Sequence, residues 1–204
     1  MKNDDYIFWN NRFDTSDYVF GTAPAAFLAR SRSLLPASGR ALAIADGEGR
    51  NGVFLAECGL DTVSVDFAPN AQAKAKALAA ERGVALEVVT ADILAWDWPE
   101  AEYDVVVGIA FQFCGPAGRD RIFAGLRRTL KPGGLLLIEG YRPEQLALGT
   151  GGPKAVENLY TREILEAAFG DFRDLEIHSH DSVKNDGTAH VGLPALIDLV
   201  GRKP

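Results

Sequence analysis

The segment Asp46–Gly52 constrains the fold more than any other part of the sequence, because it places Gly-x-Gly-x-x-Gly between a strand and a helix. The apolar run 41–45 predicts the strand before it, and the pattern over 52–58 predicts the helix after it. Glycines at these positions permit a tight turn and let a ligand approach the backbone at the helix N-terminus. A turn that merely needs positive φ would also select glycine, so the motif indicates a nucleotide-binding unit only in context.

The rest of the chain alternates short apolar runs with helical patterns. The predicted strands are 41–45, 62–65, 86–90, 105–109 and 135–138, and the predicted helices are 52–58, 71–82, 117–130 and 161–169. Continuous apolar strands separated by helices are typical of a parallel sheet with both faces covered. Two β-rich runs, 175–183 and 195–200, flank Asn185-Asp186-Gly187, which is a hairpin signal. We therefore expect an α/β fold, a Rossmann-like doubly wound sheet of five parallel strands with a C-terminal antiparallel hairpin.

The 204 residues are expected to form one domain with three parts. Residues 1–35 form an N-terminal helical cap, helical over 6–35 except near Gly21–Pro24, with an aromatic face suited to pack over the ligand edge of the sheet. Residues 36–140 form the core around the glycine motif. Residues 141–204 contribute a glycine-rich loop over 141–158, expected to be a lid or a wall for a second ligand, and then a helix and the hairpin.

Charge and cysteine content exclude several classes of protein. The 21 basic and 28 acidic residues give a net charge of −7, and no stretch concentrates lysine and arginine, so nucleic acid is a poor partner. The N-terminus lacks the regions of a signal peptide, and the longest uncharged stretch, 105–118, is too short to span a bilayer. Two cysteines, Cys58 and Cys114, make no disulfide framework. We expect a cytoplasmic protein, a monomer or weak homodimer, that binds neither nucleic acid nor membrane.

Three acidic residues follow three successive predicted strands. Asp46 ends the first strand region, Asp66 closes the second strand 20 residues later, and Asp92 follows the third. The carboxyl ends of parallel strands line the crevice in which open α/β sheets bind ligands. An acid in the position of Asp66 can accept hydrogen bonds from both ribose hydroxyls. Asp66 could instead cap the turn before Pro69, and Asp92 could be a surface turn residue, but together the three acids favour a nucleoside ligand.

The nucleoside could belong to a nicotinamide dinucleotide or to S-adenosylmethionine. A dinucleotide would bring its pyrophosphate close to Asp46, and like charges about 4 Å apart repel by about 4 kcal/mol near a protein surface. S-adenosylmethionine brings an ammonium and a sulfonium to the same place, where an acid is attractive. The sequence therefore favours S-adenosylmethionine.

These residues resemble those of class I S-adenosylmethionine-dependent methyltransferases, in particular the tellurite-resistance and thiopurine-methyltransferase-like branch. The resemblance extends over nearly the whole chain, and Lys131-Pro132-Gly133-Gly134 is its most diagnostic segment. The other segments that carry it are 18–24, 27–28, 45–51, 65–66, 91–92, 139–141, 143–146, 149–153 and His190. It implies the seven-stranded class I methyltransferase fold, S-adenosylmethionine as cofactor and S-adenosylhomocysteine as product.

The resemblance also implies which residues surround the cofactor. Asp46, Gly47 and Gly49 would surround its methionine part, Asp66 would bind the ribose, and Asp92 would bond to the adenine amino group. The remaining implied contacts come from the ring-sandwiching side chains of Phe67 and Ile93, the backbone of Ala110, and Tyr18, Gly21, Thr22, Arg50 and Asn51. Whether Arg50 meets the cofactor carboxylate or an acid of the protein stays open at this point.

The reaction expected is transfer of a methyl group to a small molecule. The sequence identifies no catalytic base, which favours a thiol, a selenium or tellurium species, or a heterocycle as acceptor, because such groups attack without one. Where the branch carries a histidine after its fourth strand, this chain has Cys114, expected to be a buried residue rather than a nucleophile. A non-catalytic module that binds S-adenosylmethionine and, less favoured, an NAD(P)-dependent oxidoreductase remain as alternatives.

Three histidines raise the question of a metal site. His178 and His180 alternate on one predicted strand and share a face, and His190 is predicted on the partner strand of the hairpin. Structural zinc takes four ligands, and neither a fourth ligand nor a cysteine accompanies these residues in the sequence. We therefore expect no metal.

Overall fold

A computed structural model of the chain describes residues 3–187 and 190–204. The helices are α1 (Asn3–Arg12), α2 (Ala26–Arg30), α3 (Arg50–Glu57), α4 (Pro69–Arg82), α5 (Pro116–Thr129), α6 (Gln145–Leu148) and α7 (Arg162–Phe169). The strands are β1 (Arg40–Ile44), β2 (Asp61–Asp66), β3 (Glu87–Thr90), β4 (Tyr103–Ile109), β5 (Leu130–Tyr141), β6 (Arg173–Asp181), β7 (Lys184–Asp186), β8 (His190–Gly192) and β9 (Ala195–Arg202). Short 3-10 turns cover Arg32–Leu34 and Val156–Asn158.

Seven strands form one sheet in the order β3-β2-β1-β4-β5-β9-β6. Strands β1 to β5 pair in parallel, and β9 pairs antiparallel to both β5 and β6. The predicted arrangement of five parallel strands followed by an antiparallel pair is confirmed. The strand order reverses between β1 and β4, and the carboxyl ends of strands at such a switch point form the usual ligand crevice of an open α/β sheet.

The predicted hairpin turn has a different role from the one expected. Asn185-Asp186-Gly187 does not join the two long C-terminal strands, which pair directly as β6 and β9. It belongs to a separate two-stranded sheet of β7 and β8, in which Asp186 pairs with His190. The prediction that His190 lies on the strand beside His178 was therefore wrong, because the residue opposite His178 in the sheet is Asp198.

Two predicted boundaries also differ from the structure. The turn Lys131–Gly134 was expected to separate a helix from a strand, but β5 already begins at Leu130. The backbone there is paired, since Gly133 N–H donates to Lys203 O and Lys203 N–H donates to Gly134 O. In the described part of the N-terminal region, α-helix is confined to α1 and α2, and the backbone between them is bound by side chains of the glycine motif, as described below.

Apolar side chains cover both faces of the sheet, as the strand pattern predicts. Val106 and Leu136 belong to a buried cluster with Phe123 of α5. Their neighbours in β4 and β5 point the other way, into a cluster that includes Leu28 of α2 and Leu55 of α3. Within the described part of the chain, no helix is long and apolar enough to cross a membrane.

Candidate active site

A cavity of about 610 Å³ lies where β1, β2, β4 and β5 end. The residues of its wall that the sequence associates with the cofactor are Asp46, Gly47, Arg50, Asn51, Asp66, Phe67 and Ala110. The wall does not include six other residues of that set, namely Tyr18, Gly21, Thr22, Gly49, Asp92 and Ile93. Two alanines that follow strands, Ala45 and Ala110, line the cavity with positive φ of 45° and 55°. Such strained backbone is common at ligand sites, and no sequence signal marked it.

Asp46 is bound by the protein itself. Its carboxylate accepts hydrogen bonds from the Ser64 hydroxyl at 2.7 Å and from Gly52 N–H at 3.1 Å. Burial raises the pKa of Asp46 to about 7, although these two hydrogen bonds lower it. The side chain therefore ties the N-terminus of α3 to β2, and its ionisation depends on the charges that a ligand brings to the cavity.

Asp66 closes β2 and is held by the turns on either side. Its Oδ2 accepts from Gly47 N–H and its Oδ1 from Ala68 N–H, both at 2.9 Å. Burial raises the pKa of Asp66, and the backbone donors partly offset this. Each carboxylate oxygen has a second lone pair, so Asp66 retains acceptor capacity for two ligand hydroxyls.

The three glycines of the motif have three different neighbours. Gly47 faces the cavity, where an added Cβ would lie 3.5 Å from the Phe13 ring. A Cβ on Gly49 would lie 2.5 Å from the Cβ of Ala75, so this glycine allows α4 to pack against the turn. A Cβ on Gly52 would lie 2.6 Å from Oδ2 of Asp46. Of these three glycines, therefore, Gly47 is the one that leaves space in the cavity itself.

The polar residues of the motif bind the segment 19–25, which crosses the glycine turn. Val19 N–H and Phe20 N–H donate to the two oxygens of Glu48, which also pairs with Lys74 at 2.8 Å. Ala25 N–H donates to Asn51 Oδ1 at 3.0 Å. These side chains thus fix part of the cap over the carboxyl end of the sheet, a role that the glycine pattern did not indicate.

Arg50 meets an acid of the protein in this structure. Its guanidinium donates to Phe20 O at 3.0 Å and forms a partly buried ion pair with Asp186 at 3.1 Å. Gly187 packs closely on the same segment, because a Cβ added there would lie 2.3 Å from Val19 O. Lys184 of the same hairpin pairs with Glu139 of β5. The β7–β8 hairpin is therefore anchored next to the cavity.

Aromatic side chains form much of the remaining wall. Trp9 of α1 and Phe13, which directly follows α1, stack with their ring centroids 5.9 Å apart, and Phe8 and Phe20 also line the cavity. Other aromatic residues enter from the ends of β4 and β5, namely Phe111, Phe113 and Tyr141. The aromatic face predicted for the N-terminal region does pack over the ligand edge of the sheet, whereas the contribution after β4 was missed.

The loop after β5 closes another side of the cavity. Gly151, Gly152 and Pro153 line it, and the wall continues to Asn158. Gln112 holds the two ends of this loop, since its side-chain amide donates to Tyr141 O at 2.9 Å and to Asn158 O at 3.1 Å. The loop predicted to be a lid or wall therefore lies at the cavity.

Two groups that could act as nucleophile or base carry raised pKa values. Burial raises the pKa of the Cys114 thiol, which packs beside Gly118 of α5 and is absent from the cavity wall. Burial also raises the pKa of the Tyr141 phenol, and Glu139 and Asp186 raise it further. Both groups are therefore protonated at neutral pH.

Asp92 and Ile93 lie outside the wall for a local reason. Asp92 accepts from Leu94 N–H at 2.9 Å and so closes the turn after β3, while Ile93 is buried in the core. Neither residue reaches the surface of the cavity, although both directly follow the strand next to β2.

The sheet order and the crevice define the seven-stranded architecture of class I methyltransferases. Residues 41–134 match a family model described as "Methyltransferase domain". The chain therefore has the fold of class I methyltransferases, and somewhat less than half of it resembles a methyltransferase domain in sequence.

Two kinds of known protein are similar to this chain: relatives in sequence over part of its length, and solved structures that share its fold. A demethylmenaquinone methyltransferase from Thermus thermophilus is 36% identical over 106 residues, which cover 51% of this chain and 48% of that relative. The chain thus spans about half the length of the curated relatives it matches. TehB from Haemophilus influenzae has the same fold, with a TM-score of 0.71 at 17% identity over 98% of this chain and 67% of that one. A structure described as "Conversion of a Disulfide Bond into a Thioacetal Group during Echinomycin Biosynthesis" has a TM-score of 0.74 at 16% identity, covering 98% and 90%.

Proposed function

We propose that the protein is a methyltransferase that uses S-adenosylmethionine and methylates a small heteroaromatic molecule. One observation carries the proposal: the acid that ends β2 and the glycine turn after β1 share one cavity with a wall of aromatic side chains. The acid and the glycine turn are suited to a nucleoside cofactor, and the aromatic wall is suited to a planar acceptor.

The residues at the sheet end of the cavity fit the cofactor. Asp66 has free acceptor capacity for two ribose hydroxyls, and Phe67 beside it offers an apolar face for adenine. The volume of about 610 Å³ lies within the range of about 300–1,000 Å³ usual for ligand pockets. When bound, the cofactor supplies an electrophilic methyl group on a positively charged sulfur.

Charge favours this cofactor over a dinucleotide. Asp46 and Asp66 both line the cavity, and the negative charge of a pyrophosphate would raise the pKa values of both further, so that its binding would require these carboxyl groups to take up protons. An ammonium and a sulfonium would instead favour their ionised forms.

The acceptor side of the cavity favours a planar ring. The absence of a base allows a thiol, a selenium or tellurium species, or a heterocycle as acceptor. Of these three classes, the heterocycle is defined by a planar ring that can stack on Trp9 and Phe13. The cofactor, held by Asp66 and the glycine turn, would supply the methyl group and S-adenosylhomocysteine as the leaving group, and the acceptor would supply a lone pair of a ring nitrogen or of an attached thiolate. The protein contributes by orienting the reactants and excluding water, which can account for about 7–11 kcal/mol of the barrier.

Thermal unfolding tests the cofactor. S-adenosylmethionine and S-adenosylhomocysteine should raise the melting temperature, with a stabilisation of about 2.7 kcal/mol at a ligand concentration of 100 times Kd. A shift with NAD or NADP and none with these two ligands would refute the assignment.

Methyl transfer is tested by following release of S-adenosylhomocysteine with a panel of thiols, selenium and tellurium oxyanions, and heterocyclic thiols and amines. Heteroaromatic acceptors should give the highest kcat/KM. Turnover with aliphatic thiols or tellurite alone would contradict the acceptor class while leaving the methyltransferase assignment intact. Cofactor binding without turnover of any acceptor would support the non-catalytic alternative.

A further inference from the structure

A second group of ligating side chains lies at the far edge of the sheet, on β6 and β9. His178 lies opposite Asp198, and His180 lies two residues further along the same face of β6. One ligand atom from each of the three residues lies within 4.8 Å of the other two. Ligand atoms around a tetrahedral zinc ion are roughly 3.3 Å apart, given bonds of about 2.0–2.1 Å. Small side-chain rotations would therefore bring the three atoms onto one ion.

The ring of His180 is already oriented towards this group. Its Nε2 lies 2.9 Å from Oδ2 of Asp198, and its Nδ1 lies 2.7 Å from the Ser182 hydroxyl. In most histidine metal ligands the second ring nitrogen is held by such a hydrogen bond, which fixes the tautomer and the ring plane. The His178 ring lies nearly parallel to the His180 ring, with the ring centroids 5.3 Å apart and the planes at 14°, so the two imidazoles stand side by side on this face of β6.

Asp198 is a buried anion with an unused oxygen. The side chain belongs to a residue that is only 5% exposed, and among the residues that the structure describes no donor reaches its Oδ1. A cation bound to Asp198 would compensate the negative charge of this buried carboxylate.

Arg30 supplies part of that positive charge in this structure. Its guanidinium contacts Oδ2 of Asp198 and lies 5.1 Å from the centre of the Phe27 ring. The Arg30 side chain is 48% exposed, so it can leave Asp198 without disturbing the core. Arg30 and a metal ion would therefore compete for the same carboxylate.

We propose that His178, His180 and Asp198 bind a divalent transition-metal ion of the zinc class, with water completing its coordination. Two imidazoles and one carboxylate suit zinc, copper or nickel, whereas calcium and magnesium take mainly oxygen ligands. The three residues are absent from the wall of the cavity described above, so this site does not depend on the proposed function. The sequence did not reveal it because Asp198 joins the histidines only through strand pairing.

Titration calorimetry of the untagged protein with zinc chloride tests the site, together with the visible d–d bands of added Co²⁺. We expect one site whose zinc affinity falls about tenfold or more in His178→Gln, His180→Gln and Asp198→Asn. Asp174→Asn is the matched control, because it removes an exposed carboxylate from the same strand and should leave the affinity unchanged. Arg30→Gln should tighten zinc binding, since it removes the competing cation.

The His178→Gln variant keeps the test decisive if Asp198→Asn unfolds, because His178 is exposed and its loss should not affect folding. Zinc affinity that is unchanged in His178→Gln and His180→Gln would overturn the proposal, as would weaker binding in Arg30→Gln. Octahedral rather than tetrahedral Co²⁺ bands would contradict the zinc class.

Discussion

Replacing Gly49 with alanine should destabilise the protein far more than the same change at Gly83. Both glycines have a left-handed backbone, with φ of +86° and +68°. Alanine in that conformation is strained by about 1–2 kcal/mol, and its smaller freedom in the unfolded chain offsets about 0.4–1 kcal/mol of this. The backbone effect alone should therefore lower the free energy of unfolding by about 1 kcal/mol at either position.

The surroundings of the two glycines make the difference. At Gly49 the new Cβ would lie 2.5 Å from the Cβ and 2.7 Å from the Cα of Ala75, whereas at Gly83, its chain neighbours aside, no atom of the residues that the structure describes would lie within 4 Å. Ala75 is fully buried in α4, so the helix itself has to move. Such overpacking destabilises by about 1–3 kcal/mol, which makes a total of about 2–4 kcal/mol for Gly49→Ala.

Thermal and urea unfolding without ligand measure this difference. For a chain of this length 1 kcal/mol corresponds to about 2–4 °C, so Tm should fall by about 2–4 °C in Gly83→Ala and by about 4–16 °C in Gly49→Ala. Ala75→Gly introduced together with Gly49→Ala should restore part of the loss, as an interaction between the two sites requires. Equal losses for the two single variants, or no interaction with Ala75→Gly, would refute the argument that Gly49 serves helix packing.

Three further predictions concern the cavity. Folding raises the pKa of Asp46 from 3.8 to about 7, so the stability that this group contributes is fully present below about pH 4 and is lost as the pH rises through about 7. The free energy of unfolding should therefore fall less across this range in Asp46→Asn than in the unmodified protein. Equal pH dependence of the two proteins in urea titrations would contradict this. Trp9→Ala should raise KM for the acceptor with little effect on the Kd of S-adenosylhomocysteine. A loss of cofactor binding instead would show that Trp9 belongs to the cofactor-binding part of the cavity. Added S-adenosylhomocysteine should slow hydrogen exchange in residues 18–24 and 141–153. It should also slow exchange in the β7–β8 hairpin, because Asp186 of this hairpin pairs with Arg50. Protection confined to residues 46–52 and Asp66 would show that these segments do not close over the cavity.

The sequence alone determines the succession of β1 to β5 with α3 to α5, and it determines the edge of the sheet at which the crevice lies. Both depend on patterns within short segments: apolar runs for buried strands, helical periodicity between them, and Gly47 where the chain must turn beside a ligand. Thr161 caps α7 as its type predicts, by accepting a hydrogen bond from Ile164 N–H. Asp66 could be placed at the cavity because the carboxyl ends of neighbouring parallel strands meet at one edge.

Only the tertiary structure decided which residues meet across the fold. Glu48 and Arg50 stand next to the motif glycines, yet their partners are the segment 19–25 and Asp186, which no local pattern connects with them. Asp198 lies beside His178 because β9 enters the sheet between β5 and β6 in one register. A shift of that register by one residue would turn Asp198 to the other face, so the pairing depends on the packing of the whole sheet and not on the sequence of either strand.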